Sequence, residues 1–235
     1  MSEQKMKYLT FSYDDGVIQD IRLIELFNKY NMKATFNLNS ECFGKYSEWN
    51  IDGKVIPRPR VELKDVKHIY DGHEIAAHTL THPLLPLMED EKEIIREVEE
   101  DRLNLSEIAG YEVVGFAYPG GGINFDERVA EIIKNNTGVK YARTTVSSDD
   151  FNPQKDLYVF RPSVYHHRDF DRMIEMGKQF LDIKTETPQI FYVWGHAYEF
   201  DLRDDWKRFE GFLEMMSGRN DICYCTNKEA LLNLS

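Results

Sequence analysis

Residues 8–16 read "YLTFSYDDG", an apolar run that ends in two adjacent aspartates and a glycine. The run is rich in aromatic and other strand-favouring residues, so we predict a buried strand with Asp14 and Asp15 at its carboxyl end. Two like charges side by side at such a position raise the question of a functional site. Asp-Asp-Gly is also ordinary turn sequence, and an aspartate can cap a following helix. Taken alone, this stretch therefore favours a structural turn over a functional site.

The rest of the chain alternates between strand-like runs and amphipathic helical segments. Strands are predicted at Lys7–Tyr13, Lys33–Leu38, His73–Ala77, Val113–Ala117, Lys140–Thr144, Leu157–Phe160 and Gln189–Trp194. Helices are predicted at Ile18–Tyr30, Glu89–Ile108, Asp126–Asn136, Asp169–Leu181 and Asp204–Met216, and a capping box at Thr226 and Glu229 opens a last short helix. This order predicts βαβ units and a mostly parallel α/β sheet with short, barrel-like strands. We expect a single domain over residues 1–235, with a loop or small hairpin inserted at about 39–61 that shapes a binding rim.

The charge balance limits the partners. The chain has 235 residues and a formal net charge of −12, so no basic surplus is available to neutralise phosphates, and we expect neither nucleic acid nor a membrane surface as a partner. No apolar run approaches the roughly 20 residues of a membrane-spanning helix. The N-terminus lacks the apolar core of a signal peptide, so we expect a cytoplasmic protein, although a trimmed exported protein would look the same. Nothing in the sequence indicates an oligomeric state.

Three further strand ends carry sequence with chemical potential. The stretch "HTLTHP", residues 78–83, holds two histidines four apart, which can bind one metal ion through neutral ring nitrogens, and Pro83 disfavours a helix there. The stretch "FAYPGGG", residues 116–122, lets backbone N–H groups approach a ligand. The stretch "FYVWGHAYEF", residues 191–200, places His196 directly after an apolar run. Each of these stretches, taken alone, also fits a turn or a packed core residue. Because parallel strands end at the same edge of a sheet, we expect all four stretches to contribute to one site.

The ordered set "SYDDG", "HTLTH", "AYPGG" and "WGH" resembles the polysaccharide deacetylase family, the NodB-type carbohydrate esterase family 4 that includes chitin and peptidoglycan deacetylases. The resemblance runs from about residue 7 to residue 196. It implies an α/β fold that forms a distorted, incompletely closed β/α barrel. It also implies removal of N- or O-linked acetyl groups from a carbohydrate with one divalent metal ion. We expect zinc, although cobalt, nickel and manganese also accept two imidazoles and a carboxylate.

The resemblance also assigns roles to residues. Asp14 matches the general base and His196 the general acid. Asp15, His78 and His82 match the metal ligands. Such a ligand set leaves positions on the ion open for water and for the substrate carbonyl. The positive charge of the ion also offsets the repulsion between two adjacent carboxylates, which explains why Asp14 and Asp15 can lie side by side.

One departure from the family pattern concerns an arginine that orients the base. Many members have this arginine where the chain has Ala117. Arg143 and Arg161 are both placed to substitute for it, and we prefer Arg143 as a third catalytic residue. If this is right, a guanidinium nitrogen of Arg143 lies within about 3 Å of an Asp14 oxygen.

A second departure concerns substrate contacts. A family aromatic usually follows the proline, but Gly120 follows Pro119 here, which opens the site. The N–H of Gly120 can still help to hold an oxyanion. We predict Tyr118, Pro119, Gly120 and Trp194 as substrate-binding residues, with a core position as the alternative for the two aromatic side chains.

These features together predict a metal-dependent deacetylase that acts on an acetylated carbohydrate. One alternative is a hydrolase of another C–N bond, such as a small amide or a cyclic imide, which the glycine-rich stretch and the missing signal peptide favour. The other is a non-catalytic carbohydrate-binding relative. The second alternative is disfavoured because binding alone requires no base, acid and complete metal set.

Overall fold

Strand β1 (Lys7–Asp14) lies at the centre of the sheet, and all of its residues are buried. This computed structural model describes residues 6–51 and 53–233. Residues 1–5, 52, 234 and 235, which the predicted domain and its insertion include, lie outside the described residues.

The other elements alternate between strands and helices, as predicted. The strands that follow are β2 (Thr35–Leu38), β3 (Glu48–Ile51), β4 (Lys54–Pro57), β5 (Glu74–Ala77), β6 (Gly115–Ala117), β7 (Tyr141–Arg143), β8 (Val164–Tyr165), β9 (Gln189–Gly195) and β10 (Ile222–Tyr224). The helices are α1 (Asp20–Lys29), α2 (Val66–Ile69), α3 (Glu91–Ala109), α4 (Glu127–Asn136), α5 (Phe170–Asp182), α6 (Tyr198–Arg203), α7 (Trp206–Met216) and α8 (Asn227–Leu232). None of the helices in the described part of the chain is long and apolar enough to cross a membrane.

One parallel sheet contains all of these strands except β3 and β4. Its order is β7-β6-β5-β2-β1-β9-β8, and β10 pairs with the first residues of β1. Within the described residues the end strands β7 and β8 do not pair with each other, so the sheet curls without closing. The predicted α/β fold with an incompletely closed barrel is confirmed. Because parallel strands end at the same edge, this sheet brings the four sequence motifs together.

Helix α1 fixes the loop that follows β1. Its residues Leu23, Ile24 and Phe27 are buried, and the Phe27 ring centroid lies 4.8 Å from that of Phe11 in β1. Burial of each such side chain contributes about 1.5–3 kcal/mol. The short connection between β1 and α1, which carries Asp15, is therefore held at both ends.

Some predicted elements differ from the structure. The apolar run predicted as a strand at 157–160 forms a turn of 3-10 helix, Leu157–Val159, because Asp156 accepts a hydrogen bond from Tyr158 N at 2.9 Å and caps it. Strand β8 and helix α6 were not predicted, since two and six residues are too short to show a period. Helix α7 begins later than predicted because Asp204, with φ 56°, ends α6. The capping box of α8 is present.

The segment inserted after β2 contains an antiparallel hairpin of β3 and β4. The segment that follows β4 is attached to the loop after β1: Ile18 N donates to Pro59 O at 2.9 Å and Val61 N donates to Gly16 O at 2.9 Å. These bonds place Arg58 and Arg60, which follow the hairpin, beside the end of β1.

Candidate active site

A cavity of about 760 Å³ lies at the edge where the parallel strands end. Each of the four sequence motifs contributes to its lining. The first motif contributes Asp14 and Asp15, the second His82, the third Gly120, and the fourth Trp194 and His196. The prediction that the strand ends share one site is therefore confirmed as a matter of placement, while the roles of the residues stay predictions.

The three predicted metal ligands converge. One ligand atom from each of Asp15, His78 and His82 lies within 4.8 Å of the other two. Asp15 and His82 have left-handed backbone conformations, with φ 88° and 67°, which cost about 1–3 kcal/mol each for such residues. "HTLTHP" forms a turn rather than a helix, as Pro83 predicted. Both turns are thus held in unfavourable conformations that direct the side chains to one point.

The hydrogen bonds around this set fit a metal ion. His78 Nδ1 lies 2.7 Å from the carbonyl oxygen of Ala117, which can only accept, so Nδ1 donates and Nε2 keeps a free lone pair. Asp15 Oδ1 is buried, receives no hydrogen bond, and lies 3.5 Å from His82 Nε2. The oxygen lies 3.1 Å from Arg60 Nη1 without accepting a hydrogen bond from it. A carboxylate oxygen beside two imidazole nitrogens is a set of ligands that one divalent ion can bind.

The protonation of this set also fits. Burial lowers the pKa of His78 to about 4 and lowers that of His82, so both rings are neutral at neutral pH. Burial would raise the pKa of Asp15, but the Arg60 guanidinium and the neighbouring histidines together hold that pKa well below its usual range. Neutral imidazoles and an ionised carboxylate are the forms that bind metal.

Arg143 makes the contact with Asp14 that the sequence predicted. Its Nη2 lies 2.7 Å from Asp14 Oδ1 and 2.6 Å from Oδ2, and both side chains are buried. Ala117 in β6 and Arg143 in β7 are register partners. Arg143 therefore lies one strand away from the position at which many family members carry the arginine. Arg161 is exposed and is not the replacement. The contact uses one nitrogen on both oxygens, and the guanidinium carbon also lies 4.4 Å from the ring centroid of Trp194.

Arg143→Lys is expected to lower turnover about 10-fold or more while the metal affinity changes little. Lysine keeps the charge but lacks the planar group that packs on Trp194, so Asp14 is no longer held in one orientation. Acetate release and metal titration on the same preparation measure the two effects. Arg161→Lys is the matched control and should match the wild type. Unchanged turnover in Arg143→Lys would rule out the orienting role.

Glu199 holds His196 and was missed in the sequence. Its Oε1 lies 3.1 Å from His196 Nδ1, and its Oε2 accepts from His196 N at 2.9 Å. His166 Nε2 lies 3.1 Å from Oε2, and Tyr165 also donates to this carboxylate. Gly195 is required here, because a Cβ on it would collide with the His166 ring. The spacing "HAYE" at the start of a helix is the signal that could have identified the pair.

Neighbouring carboxylates, chiefly Glu199, raise the pKa of His196. Burial would lower this pKa, but the charge and hydrogen bond of Glu199, together with the charges of Asp15 and Asp14, raise it to about 9. His196 is therefore protonated at neutral pH, and its Nε2 faces Asp14 Oδ2 at 4.0 Å. A protonated imidazole facing the candidate base is suited to act as an acid.

Glu199→Gln is expected to move the alkaline limb of the kcat/KM profile to lower pH. An acid is active when protonated, so activity falls as the pH rises through the pKa of His196. Removing the carboxylate removes the charge that raises this pKa, so the fall begins earlier. The pH dependence of acetate release measures the shift. Glu175→Gln, at an exposed position of α5, should leave the limb in place. A limb that stays or rises in Glu199→Gln would be inconsistent with this account.

The predicted substrate-binding residues divide into two groups. Tyr118 is fully buried in the core, its hydroxyl donates to Tyr158 O at 2.8 Å, and neither it nor the buried Pro119 lines the cavity. Tyr118 therefore has the core position that the sequence left as its alternative, and a substrate contact by either residue stays a prediction. Gly120 and Trp194 do line the cavity. Gly120 has φ 84°, a conformation that residues with side chains rarely adopt, and a Cβ there would require the Leu84 side chain to move.

Several residues of the site were not predicted. Asn37 donates to Asp14 Oδ1 at 2.7 Å, Arg60 lies 3.1 Å from Asp15 Oδ1, and Trp49 and Arg58 line the cavity from the hairpin insertion. All four reach the site through contacts between elements that are distant in sequence, so no local pattern marks them.

Comparisons with known proteins agree with this architecture. No curated protein matches the chain. Among solved structures, the Xyl-CE4 domain of a multidomain xylanase from the hindgut metagenome of Trinervitermes trinervoides is 16% identical, with a TM-score of 0.57, over 97% of this chain and 90% of that chain. A family 4 acetyl xylan esterase from Clostridium thermocellum, in complex with a cobalt ion, is 15% identical, with a TM-score of 0.53, over 97% and 91%. BA3943, a CE4 family pseudoenzyme from Bacillus anthracis, is 16% identical, with a TM-score of 0.53, over 97% and 66%.

At these identities the solved structures show the fold alone, and one of them is a pseudoenzyme. The family model of polysaccharide deacetylases matches residues 2–142, which is more than half of the chain. Together with the curled parallel sheet, this match shows that the chain belongs to the polysaccharide deacetylase family, the NodB-type carbohydrate esterase family 4.

Proposed function

We propose that this protein is an active, metal-dependent deacetylase of an acetylated carbohydrate, with zinc held by Asp15, His78 and His82. Family membership supports hydrolase activity on acetylated carbohydrate. The observation that carries the finer proposal is the position of one oxygen, Asp14 Oδ2. It lies 3.9 Å from His78 Nε2, on the metal side, and 4.0 Å from His196 Nε2, on the acid side. A base between a metal set and an acid is the arrangement that acyl hydrolysis requires.

The bound ion would lower the pKa of a water molecule and polarise the acetyl carbonyl. Asp14, held by Arg143 and Asn37, accepts the proton of the attacking water. The N–H of Gly120, which donates to no described residue, stabilises the developing oxyanion. His196 donates its proton to the leaving nitrogen or oxygen, and Glu199 keeps its ring in place.

A substrate panel tests this proposal against the two alternatives. The panel contains N-acetylated and O-acetylated sugars, an acyclic amide and a cyclic imide, each assayed with zinc and with chelator. We expect acetate release from a sugar with zinc only. Opening of the imide without any acetate release would instead support a hydrolase of another C–N bond. Sugar binding with no turnover of any compound would support a binding relative.

A further inference from the structure

Arg58, near the end of the inserted segment, holds its guanidinium on the cavity wall against two aromatic rings that also contact each other. Its Cζ lies 4.3 Å from the Trp49 ring centroid and 4.9 Å from that of Tyr198, and the two centroids lie 5.4 Å apart. All three residues line the cavity, and the Arg58 side chain is 13% exposed. Contact with both rings restrains the guanidinium and leaves the rest of it open, so little ordering is needed when a ligand binds there.

Most donors of this guanidinium are unused. Nη1 donates to the Tyr198 hydroxyl at 3.3 Å. Nε is buried without a partner, and Nη2 donates to no described residue. Asp15 Oδ2 lies 3.6 Å from Nη1, which is beyond hydrogen-bond distance. A nearly buried cation with free donors is costly unless a ligand uses them.

The carboxylates near Arg58 have other partners. Arg60 already serves Asp15, at 3.1 Å from Oδ1, and it donates to the Asp15 carbonyl oxygen. Asp14 is paired with Arg143, as described above. Of the other two carboxylates that line the cavity, Asp149 lies 4.0 Å from Arg172 Nε, and Asp169 caps helix α5 by accepting from the backbone N–H of Arg172. Among the described residues, the nearest carboxylate to Arg58 is therefore Asp15, which Arg60 already pairs with at the shorter distance.

We propose that Arg58 binds a carboxylate of the substrate, so that the preferred acetylated carbohydrate carries a negative charge. This rests on the proposed deacetylase function and narrows its substrate class. A guanidinium and a carboxylate form short, charge-assisted hydrogen bonds. A monoanionic carboxylate suits the site better than a dianionic phosphate, because four aspartates line the same cavity and the chain carries a net charge of −12.

A pair of substrates that differ in one charge tests the proposal. One is an N-acetylated amino sugar that carries a carboxylate, and the other is its methyl ester. In the wild type, kcat/KM for the acid should exceed that for the ester by about 10-fold or more. Arg58→Gln should bring the ratio close to one, and Arg58→Lys, which keeps the charge, should retain part of the preference. An unchanged ratio in Arg58→Gln would overturn the proposal.

Two control variants test whether the preference for the acid over the ester depends on Arg58 itself. Arg22 stacks on Trp206, with 4.4 Å between Cζ and the ring centroid, but does not line the cavity, so Arg22→Gln should keep the wild-type ratio. Arg168 is exposed and lines the cavity, so a loss of preference in Arg168→Gln but not in Arg58→Gln would place the anion at Arg168 instead and contradict the proposal.

Binding separates this inference from the proposed function. Each compound is titrated into Asp14→Asn, with the fluorescence of the cavity tryptophans as the signal. The acid should bind about 10-fold tighter than the ester whether or not either is hydrolysed. Free acetate is the third ligand, since the released product also carries a carboxylate. If Arg58→Gln weakens acetate binding but not the acid–ester difference, Arg58 holds the product and the proposal is wrong.

Discussion

Asp14→Asn is expected to lower kcat by about 100-fold or more, the usual range for loss of a general base. Asparagine has the same shape but does not accept a proton from water. The metal should stay bound, because Asp14 is not among the three predicted ligands. Steady-state acetate release and elemental analysis of the purified variant measure the two quantities.

The neighbouring aspartate is the matched control for this substitution. Asp15→Asn should lose metal and activity together, whereas Asp14→Asn should lose activity alone. If the metal is lost in Asp14→Asn and kept in Asp15→Asn, the two roles are reversed. Asp14→Asn also leaves Arg143 buried without a counter-charge, which costs about 3 kcal/mol or more of folding stability. Turnover is therefore compared below the melting temperature of the variant.

The double substitution His78→Ala, His82→Ala is expected to reduce the bound metal from about one ion per chain to background and to abolish acetate release. It removes two of the three ligands and leaves Asp15, whose charge Arg60 already balances at 3.1 Å. Elemental analysis and native mass spectrometry measure the metal content. His68→Ala, at an exposed histidine, should keep the wild-type metal content. Wild-type metal content in the double variant would mean that the ligands lie elsewhere.

The sequence predicted the parts of the site that lie at strand ends. Asp14 ends β1, and Asp15, His78 and His196 each directly follow a strand. His82 lies in the turn after β5, and a parallel sheet must bring such strand ends to one edge. Arg143 could be found for the same reason, since it ends the strand beside the one that ends at Ala117.

Residues that reach the site through tertiary contacts could not be predicted. Arg60 arrives through a hairpin whose path depends on backbone bonds to the loop after β1, and Glu199 lies on a helix of six residues. Tyr118 shows a further limit of prediction from the sequence. It belongs to the same motif as Gly120, but its side chain lies in the core, where its hydroxyl donates to a carbonyl oxygen. The position of a residue in the sequence predicts whether it lies near the end of a strand, but it does not predict whether its side chain points to the cavity or to the core.

The central claim is that the metal set of this chain supports deacetylation. The most direct test titrates metal-free protein with zinc and measures acetate release from an acetylated carbohydrate at each addition. The account predicts that release rises from background with added zinc and stops rising at about one ion per chain. Acetate release that does not depend on added metal would contradict it, and so would a protein that binds one ion per chain but releases no acetate from any sugar of the panel.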